Sequence, residues 1–409
     1  MNKPELLAPG GNLEKLKIAI LYGADAVYIG GEAYSLRVAA DNFSLDDMKE
    51  GLKFAHDRGK KVYLTANILP HNSDIAEFEK FITEVRPLGF DGILVADLGI
   101  FDMVQKLAPE IPIHISTQAN NVNYMSARKW YEMGAKRVVL AREMSFEEIR
   151  EIREKTPADL ELEAFVHGAM CISYSGRCLL SNYLTHRDSN RGACSHPCRW
   201  NYSLQEQTRP GEYMDVFENE RGSFIFNSKD LCTIRHIPEL VKSGISSFKI
   251  EGRVKSEYYV ASIIKIYREE IDKYCADPDN YVFDEKQYDE LCKVSHRPYS
   301  TGFYFGKPTE NAQVYTSSSY IRDYDIAGIV TDYDETTKTA TISQRNKFVI
   351  GEEVEIIQPN KPFFAQTVKY MENDRGESIT SAPHAAMTVK MPMEQPVCKN
   401  AMLRKVSTK

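Results

Sequence analysis

The chain has 409 residues, 43% of them hydrophobic, enough for a large core and for two or three domains. Its formal net charge of −7 excludes a global basic field for duplex nucleic acid, although a local basic patch can still meet RNA phosphates. No stretch approaches the roughly 18 apolar residues of a membrane span, so neither a membrane nor DNA is an expected partner.

The opening MNKPELLAPGGNLEKL has no basic segment followed by an apolar one, which makes the cytoplasm the expected location. Structural disulfides are rare there, so the 8 cysteines read as core residues, metal ligands or catalytic groups.

Over residues 1–275, short β-rich runs alternate with amphipathic stretches. LLAPGG precedes NLEKLKIAILYGA, DAVYIGG precedes SLDDMKEGLKFAHDRG, and KVYLTANIL precedes DIAEFEKFITEVRPLG. GILVAD precedes IFDMVQKLA, PIHIST precedes VNYMSARKWYEMG, and RVVLAR precedes SFEEIREIREK. LELEAFVHG then opens a cysteine-rich region, and SSFKIEG precedes SEYYVASIIKIYREEIDKY. Continuous rather than alternating apolarity fits strands buried on both faces of a parallel sheet. The helical stretches stop at Gly23, Gly59, Gly89, Gly134 and Gly244, as helix C-termini favour. Eight strand candidates, seven of them followed by a helix, predict an α/β fold of the (β/α)8 TIM-barrel type. An open doubly wound sheet is the alternative, but no G-x-G-x-x-G follows the first strand.

The cysteine-rich insertion follows strand seven, at about 168–232, and contains a hairpin-like acidic piece. Residues 276–319 read as a connector. From 320 to 409, short β runs such as IAGIVTDYD, TATISQRN and FVIGEEVEII alternate with turns, predicting a small C-terminal all-β barrel.

Barrel active sites sit at the C-terminal ends of the strands. That rule selects Ser35 and Arg37 after strand two, Asn67 after three, Asp97 after four, and Gln118 and Asn120 after five. It further selects Arg142 and Glu143 after six, Glu163 and His167 after seven, and Lys249, Glu251 and Arg253 after eight. Such a ring suits an anionic, hydroxylated small ligand or a nucleotide.

Five cysteines, Cys171, Cys178, Cys194, Cys198 and Cys232, fall among polar residues at this end. Buried inert cysteines normally sit in apolar runs. A single nucleophile with His167 or His196 as base would leave the other thiols unexplained. Zinc sites use tighter pairs, which only Cys194 and Cys198 approach. Irregular spacing suits an iron–sulfur cluster, with zinc as the alternative. Cys275 and Cys398 read as packing residues.

The segments EAFVHGAMCISYSGRCLLSNY, NRGACSHPCRWNY, NSKDL and FKIEGRVKSEYYV resemble the collagenase-like family of unassigned peptidases, numbered thirty-two. The resemblance runs over nearly the whole chain. Neither H-E-x-x-H nor G-x-S-x-G is present. The family includes oxygen-independent hydroxylation proteins carrying a [4Fe–4S] cluster, which act on the tRNA wobble uridine, a cytidine of large-subunit rRNA, or the ubiquinone ring. This chain is most similar to the tRNA 5-hydroxyuridine-forming branch.

The resemblance implies a [4Fe–4S] cluster on Cys171, Cys178, Cys194 and Cys232, with Cys198 as the alternate to Cys194. It implies prephenate, or a similar small carboxylate, as a co-substrate. It also implies tRNA, through its anticodon loop, as a partner, and a homo-oligomer or a pairing with a related family member. Arg37, Arg142, Arg253 and Lys255 are the candidate carboxylate ligands, with Glu251 beside them. Gln118, Asn120 and Asn67 are candidate base-edge readers, and Tyr174, Tyr183 and Trp200 candidate stackers. His167 and Glu163 are the candidate proton-moving catalytic residues. The C-terminal segment resembles the second-domain β-barrel of translation GTPases, with Lys361, Lys369, Lys390, Lys399, Arg404 and Lys405 as a candidate basic face. Two competing classes are a peptidase using a cysteine or zinc, and a non-catalytic RNA-binding protein with a structural cluster.

Overall fold

The structure is a computed structural model that describes residues 3–31, 42–171, 173–200, 228–307 and 320–407, with the backbone of four two-residue strands between 204 and 223. All eight predicted barrel strands form. They are β1 (Glu5–Gly10), β2 (Ala26–Gly30), β3 (Lys61–Thr65), β4 (Gly92–Val95), β5 (Ile113–Ile115), β6 (Arg137–Val139), β7 (Glu161–Gly168) and β8 (Ser247–Ile250). Each pairs in parallel with the next, and β8 also pairs with β1, so the sheet closes into a barrel.

Helices α1 (Leu13–Leu21), α2 (Leu45–His56), α3 (Ile75–Val85), α4 (Leu98–Leu107), α5 (Tyr124–Glu132) and α6 (Phe146–Glu154) follow the first six strands. Their starts are fixed by side-chain caps. Asn12, Ser44, Asn123 and Ser145 each accept the backbone N–H three residues on, which satisfies a donor that the helix leaves open. The five glycines read as helix stops all have positive φ, between 65° and 114°.

The unit after β7 departs from the repeat. The chain first passes through the cysteine segment, which carries α7 (Leu180–Thr185). A short strand, Asp230–Cys232, then pairs antiparallel to β7, opposing Leu231 to Gly168 and Cys232 to His167. Only then do α8 (Ile237–Lys242) and β8 complete the barrel, followed by α9 (Glu257–Ala276) and α10 (Glu285–Cys292). Within the insertion, residues 204–205 pair with 213–214 and residues 218–219 with 222–223, all antiparallel.

The C-terminal domain is an antiparallel six-stranded sheet, with a two-stranded pair of Phe348–Val349 and Ser381–Ala382 beside it. The strand Thr339–Gln344 alternates half-buried and buried residues, the pattern of a sheet with one face on a core. Val330, Ile342, Val354, Val389 and Leu403 form that core. Ile329, Ile357 and Met402 instead join the barrel's own core, so the two domains are packed together. The Tyr22 hydroxyl at the end of α1 donates to the Ile357 and Asn400 carbonyls at 3.1 and 2.8 Å.

This docking corrects the expected basic face. Arg404 is fully buried and ion-pairs with Glu290 of α10 at 2.5 Å and with Glu355. Lys405 is buried against Glu352 at 2.8 Å. Only Lys361, Lys369, Lys390 and Lys399 remain exposed. Replacing Arg404 by Leu leaves two carboxylates facing each other without their cation. Allowing for their partial exposure, a loss of about 2 kcal/mol is expected, read as a lower urea midpoint.

Candidate active site

A cavity of about 180 Å3 opens at the C-terminal end of the barrel, between the strand ends and the cysteine segment. Asn67, Gln118, Arg142, Glu251 and Arg253 all line it, as the strand-end rule predicts. Asn67 donates from Nδ2 to Ser116 Oγ at 2.9 Å, while its buried Oδ1 has no protein partner among the described residues. Arg142 donates to the Ala169 carbonyl at 2.5 Å and lies 3.8 Å over the Phe165 ring. Arg253 is buried and donates to Asn42 Oδ1 at 2.8 Å and Thr65 Oγ1 at 3.3 Å.

Beneath the cavity the lumen holds a ladder of buried charges. Lys249 Nζ donates to Glu163 at 2.6 Å, and Arg137 donates to the other Glu163 oxygen at 2.9 Å. Arg137 also reaches Glu5 at 2.6 Å, and Glu5 accepts from Tyr63 at 2.6 Å and Ser247 at 2.9 Å. Burial alone would raise the Glu163 carboxyl, but Lys249 and Arg137 outweigh it and hold the group ionised. Burial also lowers the Lys249 ammonium below the ordinary lysine range, with Glu163 opposing that shift.

Four thiols line the same cavity: Cys171, Cys178, Cys194 and Cys198. All are free rather than disulfide-bonded, and all but Cys171 are half-buried. Burial would raise the Cys178 thiol, yet hydrogen bonds from Ser173, the Leu180 and Ser181 backbone and Ser189 bring it down. Burial, then the neighbouring Cys171, pushes Cys198 up to about 11. Cys194 Sγ accepts the His196 backbone N–H at 3.4 Å. Four sulfurs with backbone and hydroxyl donors fit, in kind, the ligands of an iron–sulfur group. Among the described residues, no three His, Cys, Asp or Glu side chains form a compact metal-ligand group.

The segment is fastened to the barrel at several points. Ser175 N and Oγ donate to Glu143 at 2.9 and 3.3 Å. Arg191 pairs with Asp74 ahead of α3, holding that carboxyl down to about 2. Gly176 has a φ of +74°, and a Cβ there would lie 2.2 Å from the Gln118 carbonyl oxygen.

Several expected residues lie elsewhere. Cys198, the alternate to Cys194, lines the cavity and Cys232 does not: the Cys232 thiol is buried beside Tyr267, and burial pushes it up to about 12. His167 lies on the same outward side, with its ring 5.5 Å from that of Tyr267 and 5.3 Å from that of Tyr299. A bulge explains this. Lys249 pairs with Phe165 but the next residue, Ile250, pairs with His167, so Val166 is extra and the alternation of β7 flips after it. Burial lowers the His167 imidazole to about 3, which favours its neutral form near pH 7. Glu163 faces the lumen but is fully buried beneath the cavity and meets it only through Lys249.

Asn120 lies outside the cavity lining, closing a turn with φ +52°. Lys255 donates to the Ser295 carbonyl at 3.2 Å and lies 4.0 Å over the Tyr320 ring, away from the cavity. Tyr174 lines the mouth, whereas Tyr183 and Trp200 are exposed and do not. Ser35 and Arg37 lie outside the described residues. Strand position alone did not single out Tyr28, whose ring lies 4.5 Å from Lys249 Nζ.

Residues 11–314 match the model of peptidase family U32, and residues 322–404 match that family's C-terminal domain. The chain belongs to peptidase family U32. Its relatives include tRNA hydroxylation protein P1 of Bacillus subtilis, 44% identical over 98% of this chain and 95% of the relative. The tRNA hydroxylation protein P of Escherichia coli is 39% identical over 97% of this chain and 95% of the relative. An uncharacterized protease of Methanocaldococcus jannaschii is 40% identical over 90% of each.

Gly176→Ala forces the cysteine segment off the Gln118 backbone and places a side chain in left-handed backbone. A loss of about 2 kcal/mol is expected, measured as a lower denaturation midpoint of anaerobically purified protein.

Proposed function

We propose that this chain hydroxylates RNA, forming 5-hydroxyuridine at the tRNA wobble position, with a [4Fe–4S] cluster on Cys171, Cys178, Cys194 and Cys198 and prephenate as co-substrate. The observation that carries the reading is the gathering of four free thiols around one cationic cavity at the catalytic end of the barrel. Two relatives that align with almost the whole chain are named tRNA hydroxylation proteins, which supports RNA as the substrate class.

When bound, the cluster supplies one-electron chemistry at the mouth of the cavity. The chain's own residues bind and orient. A loop base splayed from single-stranded RNA stacks on Tyr174, which is exposed at the mouth. Asn67 Oδ1 accepts the uracil N3–H, and Gln118 meets another edge of the base. Arg142 and Arg253 take the carboxylates of the small co-substrate. The exposed Lys361, Lys369, Lys390 and Lys399 are available for phosphate.

A serine peptidase arrangement finds no support at Ser175, whose hydroxyl donates to the Glu143 carboxylate rather than to an imidazole. The test pairs metal content with RNA chemistry. Anaerobic protein is expected to hold about four irons and four sulfides. Cys198→Ser should lose them and Cys232→Ser should keep them. Nucleoside analysis of tRNA from a deletion strain should lack 5-hydroxyuridine. Iron retained in Cys198→Ser would refute the ligand set, and unchanged 5-hydroxyuridine would refute the substrate.

A further inference from the structure

We infer that Lys249 forms an imine with a 2-oxo carboxylic acid at the floor of the barrel cavity. This goes beyond the hydroxylation reading and does not depend on RNA being the substrate.

Lys249 is the penultimate residue of β8, near the C-terminal strand end from which barrel enzymes present reacting groups. Only 3% of its surface is exposed, yet it lines the cavity. Its Nζ stands 4.5 Å from the Tyr28 ring and 5.4 Å from the Phe165 ring, both on the same wall. The bulge that turns His167 outward leaves Lys249 paired with the inward-facing Phe165. A lysine desolvated by aromatic rings and close to other cations is the setting in which an amine becomes nucleophilic. Its lowered pKa agrees with that setting.

The cavity also selects the electrophile. Arg142, Arg199, Lys249 and Arg253 line it against two carboxylates, Glu143 and Glu251, and Glu143 is engaged by Ser175. A ligand with a carboxylate therefore binds, and an adjacent carbonyl is carried toward Nζ. The Lys249 ammonium gives one proton to Glu163, 2.6 Å away, and its freed lone pair attacks the carbonyl carbon. The carbonyl oxygen takes up that proton and a second one from nitrogen, then leaves as water. The sum is ammonium plus ketone giving iminium plus water, with charge conserved and no oxidant or reductant required. Glu163, oriented by Arg137 at 2.9 Å, is then the base and acid of the step.

The test treats anaerobically purified full-length protein with pyruvate and sodium cyanoborohydride, then maps adducts by peptide mass. The expected result is a single reduced pyruvyl adduct on Lys249, saturating with pyruvate and lost in Lys249→Arg. In Glu163→Gln, removing the carboxylate that holds the lysine proton should shift the pH profile of trapping to lower pH. An adduct scattered over exposed lysines, or none on Lys249 in the native protein, overturns the inference, and neither outcome bears on hydroxylation. Because the native protein decides the matter, a variant that fails to fold does not obscure it.

Discussion

The charge ladder in the barrel lumen is the constraint around which the rest of the site is arranged. Glu5 on β1, Arg137 on β6, Glu163 on β7 and Lys249 on β8 are linked in one buried series. Ions taken this far from water are tolerated only when each meets an opposite charge with good geometry. Removing any one member strands the others, so strands far apart in sequence are tied to one another at the barrel seam. The ladder also sets the chemical character of the cavity above it. Its top rung is a cation, and Arg142 and Arg253 in the loops after β6 and β8 add to it, so the pocket favours anions although the chain as a whole is acidic.

The cysteine segment depends on this scaffold for its shape. It carries little regular structure of its own and is held by side chains of the barrel loops: Glu143 to Ser175, Asp74 to Arg191, Arg142 to the Ala169 carbonyl. The absence of a side chain at Gly176 lets the loop lie directly on the Gln118 carbonyl. The thiols are thereby brought over the strand ends, where they line the cavity. Preorganisation of this kind places reactive atoms before any ligand arrives.

Much of the fold was legible in the sequence because its signals are local. A strand buried on both faces reads as a continuous apolar run, and a helix end reads as a glycine that takes positive φ. Arg142, Glu251 and Arg253 followed from the rule that polar residues at strand ends face the site. What the sequence did not show is non-local. Nothing in LELEAFVHG marks Val166 as a bulge, yet that one extra residue carries His167 to the outer face. Nothing in NSKDLC shows that Cys232 pairs antiparallel with β7, which fixes its thiol beside Tyr267 and away from the other four. Arg404 and Lys405 look like surface residues until the docked domain buries them against carboxylates from distant segments.

We propose that Cys171, Cys178, Cys194 and Cys198 hold an iron–sulfur group at the mouth of the barrel. Anomalous scattering at the iron edge from anaerobically grown crystals tests it most directly. Iron bonded to those four sulfurs is expected, with Cys232 metal-free against Tyr267. Iron bound to Cys232, a lone zinc ion, or four metal-free thiols in protein that still modifies tRNA would contradict it.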